Sequence, residues 1–163
     1  MTKTAVPVTF RAAMSSDIAA LLLLERSFYP TDGYPAPFFY QALHQWPHLV
    51  RVACKDLADA SPILGYCLGA PAQESDRLWL MSLLIAPECR GQGIGRELLN
   101  AWLAQVENMG YQHTLLTVAP DNLPAVQLYQ RQGFVVAEKK LDYLGPGQHR
   151  LVMQRRTPKL PLT

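Results

Sequence analysis

Near the middle of the chain, the run Glu88-Cys89-Arg90-Gly91-Gln92-Gly93-Ile94-Gly95-Arg96 sets three alternating glycines between two arginines. It follows directly on LWLMSLLIAP, one of the most apolar stretches of the sequence. A strand that turns through glycines into a helix is a ready anion site. The helix start exposes N–H groups without internal acceptors, carrying roughly half a positive charge. Glycines let the backbone curl so that successive N–H groups point at one phosphate. Arg90 and Arg96 can add charge-assisted hydrogen bonds. The plainer reading is a tight strand–helix turn that uses glycine for its dihedrals, but two flanking cations favour the phosphate.

Other reactive residues are less organised. Cys54, Cys67 and Cys89 are odd in number and lack Cys-x-x-Cys spacing, so neither a disulfide framework nor a zinc site is expected. His44 and His48 stand four apart, yet Pro47 between them argues against the continuous helix that metal ligation would need. No metal is expected. Cys89 precedes a helix start that could activate a thiol, but no histidine and acid accompany it, and it reads as a loop cysteine. The net charge is +2 and no Lys/Arg run exceeds two residues, which excludes nucleic acid as the expected partner. No apolar run reaches the ~18 residues of a membrane span, and the N-terminus lacks a signal-like apolar core. A cytoplasmic protein is the expectation, with no membrane partner.

The elements that must hold the glycine run can be read from periodicity. At 163 residues, 49 % hydrophobic and 17 % charged, the chain suits one domain, large enough to bury ~70 % of its unfolded surface. VPVTFRAA reads as a first strand. Ser15-Ser16-Asp17 can cap a helix running to Phe28. Residues 29–39, with three prolines and a glycine, form an aromatic loop, and a short helix follows over residues 38–45. HLVRVACK and PILGYCLGA are two strands joined by a polar turn at residues 56–61. DRLWLMSLLIA is a third, apolar on both faces and therefore central. Ile94, Leu98, Leu99, Trp102, Leu103 and Val106 then recur at helical spacing, with Gly110 as the C-terminal cap. HTLLTVA is a strand, Asn122 caps a helix running to Gln132, and two strands around a Gly-Pro-Gly turn close the domain. The order β-α-α-β-β-β-α-β-α-β-β describes an α/β fold with a mixed sheet flanked by helices. Domain boundaries of 5–156 are expected, with 157–163 a frayed tail.

The phosphate site can be narrowed. A Walker loop needs Gly-Lys-Ser/Thr, which is absent, and a dinucleotide fingerprint needs glycine where Leu98 stands. What remains is Arg90-x-x-Gly93-x-Gly95. Further on, DNLPAVQLYQRQGF carries Asn122, Ala125, Leu128, Tyr129, Gly133 and Phe134. Together these motifs resemble the GNAT superfamily of acetyl-CoA-dependent N-acetyltransferases, whose pyrophosphate loop reads Gln/Arg-x-x-Gly-x-Gly/Ala after the fourth strand. Its later motif reads Asn-x-x-Ala-x-x-Leu/Phe-Tyr-x-x-x-Gly-Phe. The element order agrees over nearly the whole chain, and the specific motifs lie within residues 80–134.

The resemblance implies a GNAT-like single domain and a set of roles. Pantetheine would pair with the backbone of Leu83 and Ile85. The pyrophosphate would sit on the loop formed by Arg90, Gln92, Gly93, Ile94, Gly95 and Arg96. Asn122 would contact the cofactor or cap its helix. Tyr129 would protonate the departing thiolate: a phenol of pKa ~10 is protonated at neutral pH and can donate to a thiolate whose conjugate pKa is ~8.5. The plain alternative is a core tyrosine one turn from Ala125. Many members carry a glutamate on the fourth strand as general base, and Met81 and Ser82 stand at the matching positions. Proton removal would then fall to an ordered water, to Glu25, Asp32, Glu74 or Asp76, or to nothing at all. An α-amine, pKa ~7.7–8.0, needs least help, and a lysine amine at ~10.4 needs more.

On the acceptor side, Tyr34 and Phe38 of the aromatic loop could enclose an amine or merely staple the loop. DYLGPGQHRLVM loosely resembles the hairpin of ribosomal-protein alanine and N-terminal acetyltransferases, in which a tyrosine near Tyr143 lines the acceptor groove. Leu144 and Gln148-His149 depart from that subgroup's Tyr-Tyr pair and acidic turn. The expected function is transfer of acetyl from acetyl-CoA to a primary amine by direct attack, the acceptor being a protein N-terminus or a small amine. The alternative is an acyl-CoA-binding module without turnover. A homodimer is left open.

Overall fold

The computed structural model describes residues 7–56 and 62–158. Its elements are β1 (Thr9–Ala12), α1 (Ile18–Phe28), α2 (Ala36–Gln45), β2 (Val50–Cys54), β3 (Ile63–Pro71), β4 (Arg77–Ile85), α3 (Ile94–Asn108), β5 (His113–Val118), α4 (Leu123–Arg131), β6 (Val135–Lys140) and β7 (Arg150–Arg156). This is the expected order. The seven strands lie in one sheet, ordered β1-β2-β3-β4-β5-β7-β6, and four α-helices flank it. β1, β2 and β3 pair antiparallel, β4 and β5 parallel, and β5, β7 and β6 antiparallel. The sheet is mixed for the reason the connections give: short turns allow antiparallel neighbours, and a helix crossover makes a parallel one. β4 is the middle strand, as its apolar run requires.

The chain divides into two compact units, one comprising the residues up to Ala70 with Met81–Gln105, the other Pro71–Leu80 with the residues from Val106 onward. In the first, Ile18, Leu21 and Leu24 of α1, Phe39 of α2 and Leu98, Leu99 and Trp102 of α3 are buried. Trp102 can be fully buried because its Nε1–H donates to the Leu49 carbonyl at 3.0 Å. α2 starts at Ala36 rather than at residue 38. Pro37 falls in its first turn, where a missing N–H costs nothing, so the helix reaches back into the proline-rich loop. It ends before Pro47, leaving His44 and His48 in different elements.

The expected cap of α1 takes another form. Ser15–Asp17 make a 3₁₀ turn ahead of the helix. The buried Asp17 carboxylate accepts the Met14 N–H at 2.8 Å and a forked guanidinium from Arg11 at 2.7 and 2.9 Å. Burial alone would raise this carboxyl's pKa; the Arg11 hydrogen bonds, the Met14 N–H and the Arg11 charge outweigh it, and the pKa is lowered.

In the second unit, the β4–β5 register covers Arg77–His113, Leu78–Thr114 and Trp79–Leu115. Asn122 Oδ1 accepts the Ala125 N–H at 3.3 Å, capping α4 as expected. Gly133, at φ 89°, follows the helix end, and Arg155 Nε donates to the Gln132 carbonyl at 2.8 Å. Thr157, the first residue of the expected tail, is held: its N–H donates to Gln112 O at 2.9 Å and its hydroxyl to Tyr111 O at 3.1 Å. Residues 159–163 of that tail, and 57–61 of the β2–β3 turn, lie outside the described residues.

Asp17→Asn should lower unfolding free energy at pH 7 by about 2 kcal/mol, because it uncharges the buried partner of a part-buried, hydrogen-bonded pair. A carboxylate whose folded pKa is depressed contributes above its unfolded value of ~3.9 and loses that contribution as pH falls through the folded value. The gap between wild type and variant in urea titrations should therefore narrow below about pH 4. A gap of similar size at pH 3 and pH 7 would contradict this assignment.

Candidate functional site

β4 delivers the chain into the glycine run. Pro87–Cys89 form a single 3₁₀ turn, and α3 begins at Ile94. Gly91 (φ 76°) and Gly93 (φ 79°) both occupy left-handed backbone, which costs other residues ~1–2 kcal/mol. The Glu97 N–H donates to Gly93 O at 3.1 Å, so helical bonding starts from Gly93. The N–H groups of Ile94, Gly95 and Arg96 therefore precede the first internal donor of the helix, as at any helix start. Gly95 is already helical, so no dihedral demands glycine there.

The two arginines differ. Arg90 is exposed, and its guanidinium lies 4.6 Å from the Phe28 ring centroid, a cation–π contact that holds it beside the loop. Arg96 sits in the first turn of α3. On β4, Leu83 and Ile85 are half-buried and Leu84 is buried, consistent with alternating faces. The Ala86 N–H donates to Leu64 O at 2.8 Å. A side chain at Gly65 would meet Ile85 Cδ1 at 2.5 Å and Leu84 O at 2.7 Å, so the close approach here requires glycine.

Beneath the exposed end of β4 lies a polar cluster of which the sequence marks Glu25 alone as a candidate base. Glu25 of α1 is 1 % exposed. Its Oε1 accepts from the Tyr66 hydroxyl of β3, and its Oε2 accepts the Tyr34 N–H at 3.0 Å. The Tyr66 oxygen also stands 2.9 Å from Ser82 Oγ on β4. Tyr66 is wholly buried and packs edge-on to Phe39. Burial first, and then its bond to Glu25, push the phenol's pKa far up. Ser82, which is no base by itself, is half-exposed and so forms the outer end of this chain. Tyr66 went unnoticed, hidden among apolar strand residues. The signal for Glu25 was its spacing: four residues after the buried Leu21, it shares the inward face of α1.

The other proposed carboxylates are placed differently. Asp76 stands at the opposite end of β4, 3.5 Å from His113. Asp32 and Glu74 are exposed in turns. Cys89 is buried and free.

The aromatic loop is stapled. Tyr34 stacks on Phe38 at 4.2 Å between centroids and meets Phe39 edge-on. Its hydroxyl reaches the Met81 carbonyl at 3.5 Å, so the loop is pinned against β4. Burial, then the nearby Glu25 and Tyr29, raise the Tyr34 pKa.

In the second unit, Tyr129 is 8 % exposed on α4, edge-on to Phe134 at 5.7 Å. Tyr143 is exposed on the β6–β7 connection, with the Lys140 ammonium 5.4 Å from its ring. That connection is ordered by its own bonds: the Asp142 N–H donates to His149 Nδ1 at 2.9 Å and the Gly147 N–H to Asp142 Oδ1 at 2.7 Å. Residues 119–121 and 147–150 line a cavity of about 400 Å³.

A mixed sheet flanked by four helices, with a glycine turn between its central strand and α3, defines an α/β class of fold. Comparison with known proteins identifies the family. The sequence profile of the acetyltransferase (GNAT) family matches residues 18–134, and the chain belongs to that family. N-alpha-acetyltransferase 30 of Schizosaccharomyces pombe is 32 % identical over 111 residues, covering 64 % of this chain and 69 % of that protein. A mycothiol acetyltransferase of Streptomyces bingchenggensis is 41 % identical over 59 residues, 36 % of this chain and 19 % of that longer protein. The fold matches Arabidopsis thaliana Naa50, solved in complex with the bisubstrate analogue CoA-Ac-MVNAL, with a TM-score of 0.76, 19 % identity and coverage of 92 % and 99 % of the two chains.

The glycines can be told apart by substitution. Gly91→Ala and Gly93→Ala should each cost about 1 kcal/mol of stability, as left-handed positions do. Gly95→Ala should leave stability unchanged or raise it by up to about 1 kcal/mol. Urea titration checks this, and an equal loss at Gly93 and Gly95 would show that position 95 is also constrained by its backbone.

Proposed function

We propose that the protein is an N-acetyltransferase that takes acetyl from acetyl-CoA and gives it to the α-amine of a polypeptide. The observation that carries the reading is the start of α3, where two left-handed glycines and a helical one leave the amides of residues 94–96 ahead of the helix's own bonding. These amides, with Arg90 and Arg96, suit a pyrophosphate. β4 runs on through residues 80–85 after its last pair with β5. The backbone of Leu83 and Ile85 can therefore serve the amide groups of a pantetheine arm. Gln92 and Gly93 complete the loop. Asn122 acts through its cap, holding the start of α4 in place.

The acceptor nitrogen attacks the thioester carbonyl directly, with backbone N–H groups stabilising the oxyanion. Tyr129 gives its proton to the departing thiolate. Tyr34, Phe38 and Tyr143 are the residues assigned to the acceptor side. The polypeptide acceptor is supported by the relation to N-alpha-acetyltransferase 30 and by the likeness to an enzyme solved with a peptide-derived bisubstrate analogue. A small amine is the second reading, favoured by the Tyr34–Phe38 stack beside β4 and by the partial match to mycothiol acetyltransferases.

Release of free CoA thiol from acetyl-CoA should follow addition of the peptide MVNAL and should be slower with phenethylamine or spermidine. Tyr129→Phe should lower kcat by about 10²-fold or more while acetyl-CoA affinity stays near wild type. Tight acetyl-CoA binding with no thiol release from any acceptor would instead support an acyl-CoA-binding module.

A further inference from the structure

We infer that Ser82, Tyr66 and Glu25 form a proton relay that deprotonates the acceptor ammonium, replacing the strand-four carboxylate that this chain lacks. The inference rests on the transferase reading above. Ser82 Oγ is the group that would touch the amine; Tyr66 and Glu25 act through it.

The Tyr66 hydroxyl lies within bonding distance of both Glu25 Oε1 and Ser82 Oγ, yet it carries one hydrogen. The two Glu25 oxygens face a hydroxyl and a backbone N–H, both donors, which is the environment of an ionised carboxylate. With Glu25 ionised, Tyr66 must donate to it, and Ser82 must then donate to Tyr66. That leaves the Ser82 lone pairs as acceptors at the half-exposed end of the chain. An ammonium N–H placed there meets an acceptor backed by a buried negative charge. The titratable groups facing Glu25 are Tyr66 from β3 and Tyr34 from the loop before α2. Among the described residues no lysine, arginine or histidine forms an ion pair with it.

Proton transfer reverses each bond without moving a heavy atom. One N–H bond of the ammonium breaks and its electron pair stays on nitrogen. Ser82 Oγ gains that proton and passes its own to Tyr66, which passes its own to Glu25. Glu25 then donates to Tyr66, and Tyr66 to Ser82. The phenol never ionises, which matters because burial makes a free phenolate costly. The neutral amine forms the C–N bond, the C–S bond breaks, and the thiolate takes its proton from Tyr129. The second proton lost by nitrogen restores Tyr129, and the proton on Glu25 leaves through the same chain after turnover. One proton is released per acetyl transferred.

The test uses Tyr66→Phe, which keeps the ring against Phe39, and Ser82→Ala, at a half-exposed position where folding is not at stake. kcat/KM for MVNAL is measured from pH 6.5 to 9.5, with acetyl-CoA affinity and thermal unfolding alongside. At pH 6.5 both variants should be slower, Tyr66→Phe by about 20-fold, the factor by which protonation depletes the neutral form of an α-amine of pKa ~7.7–8.0. Near pH 9.5 both should come within about threefold of wild type, because an α-amine of pKa ~7.7–8.0 is then already neutral. Acetyl-CoA affinity should not change. A defect of the same factor at every pH, or no defect at pH 6.5, overturns the relay while leaving the transferase intact. If wild type itself releases no thiol with any acceptor, the transferase reading fails and the relay with it.

Discussion

The constraint on which the rest of the structure depends is the supply of acceptors for backbone N–H groups where β4 ends. A strand can share its hydrogen bonds with two neighbours, and a helix start can share its first few with none. Here the two conditions follow one another along the chain. β4 carries on past its last pair with β5, and after the glycine turn α3 begins with donors that its own geometry cannot use. Gly91 and Gly93 make the turn tight enough to hold these donors together, and Arg90 adds charge from its seat on Phe28. The acetyl-CoA proposed above suits both needs at once, with phosphates to offer the helix donors and amides to offer the strand.

A second constraint works from below. Glu25 is carried into the first unit on the buried face of α1, and a carboxylate in such a place persists only when hydrogen bonds surround it. Tyr66 and the Tyr34 N–H supply them. The same bonds therefore fix the aromatic loop to α1 and connect α1 to β3 and β4. A polar cluster of this kind confers specificity of packing as well as chemistry, because its hydrogen bonds hold the heavy atoms of α1, β3 and β4 in one arrangement.

The sequence carried most of the fold. Apolar runs at β2, β3 and β4, and apolar period three to four in α3, place those elements to within one or two residues. The rule that Pro suits a first helical turn would have moved the start of α2 to Ala36. Ser15-Ser16-Asp17 has the residue types of a cap and an acidic first turn, and Asp17 does take the local Met14 N–H; its other partner, Arg11, comes from β1 and no local rule announces it. The glycine loop and Tyr129 can be proposed from sequence because they sit in short motifs of fixed spacing. Glu25, Tyr66 and Ser82 are 41 and 16 residues apart, and only the pairing of β3 between its neighbours brings them together. A serine alone is no base, so nothing in the sequence marks Ser82.

The most direct test of the account is whether the amides at the start of α3 meet a pyrophosphate. Backbone ¹⁵N–¹H spectra titrated with acetyl-CoA should show the resonances of Ile94, Gly95 and Arg96 moving downfield and saturating together, as amides do on gaining a charged acceptor. Pantetheine, which lacks the phosphates, should leave them where they are. If acetyl-CoA saturates the protein and those three amides stay unmoved, the glycine loop is a structural turn and the phosphates bind elsewhere.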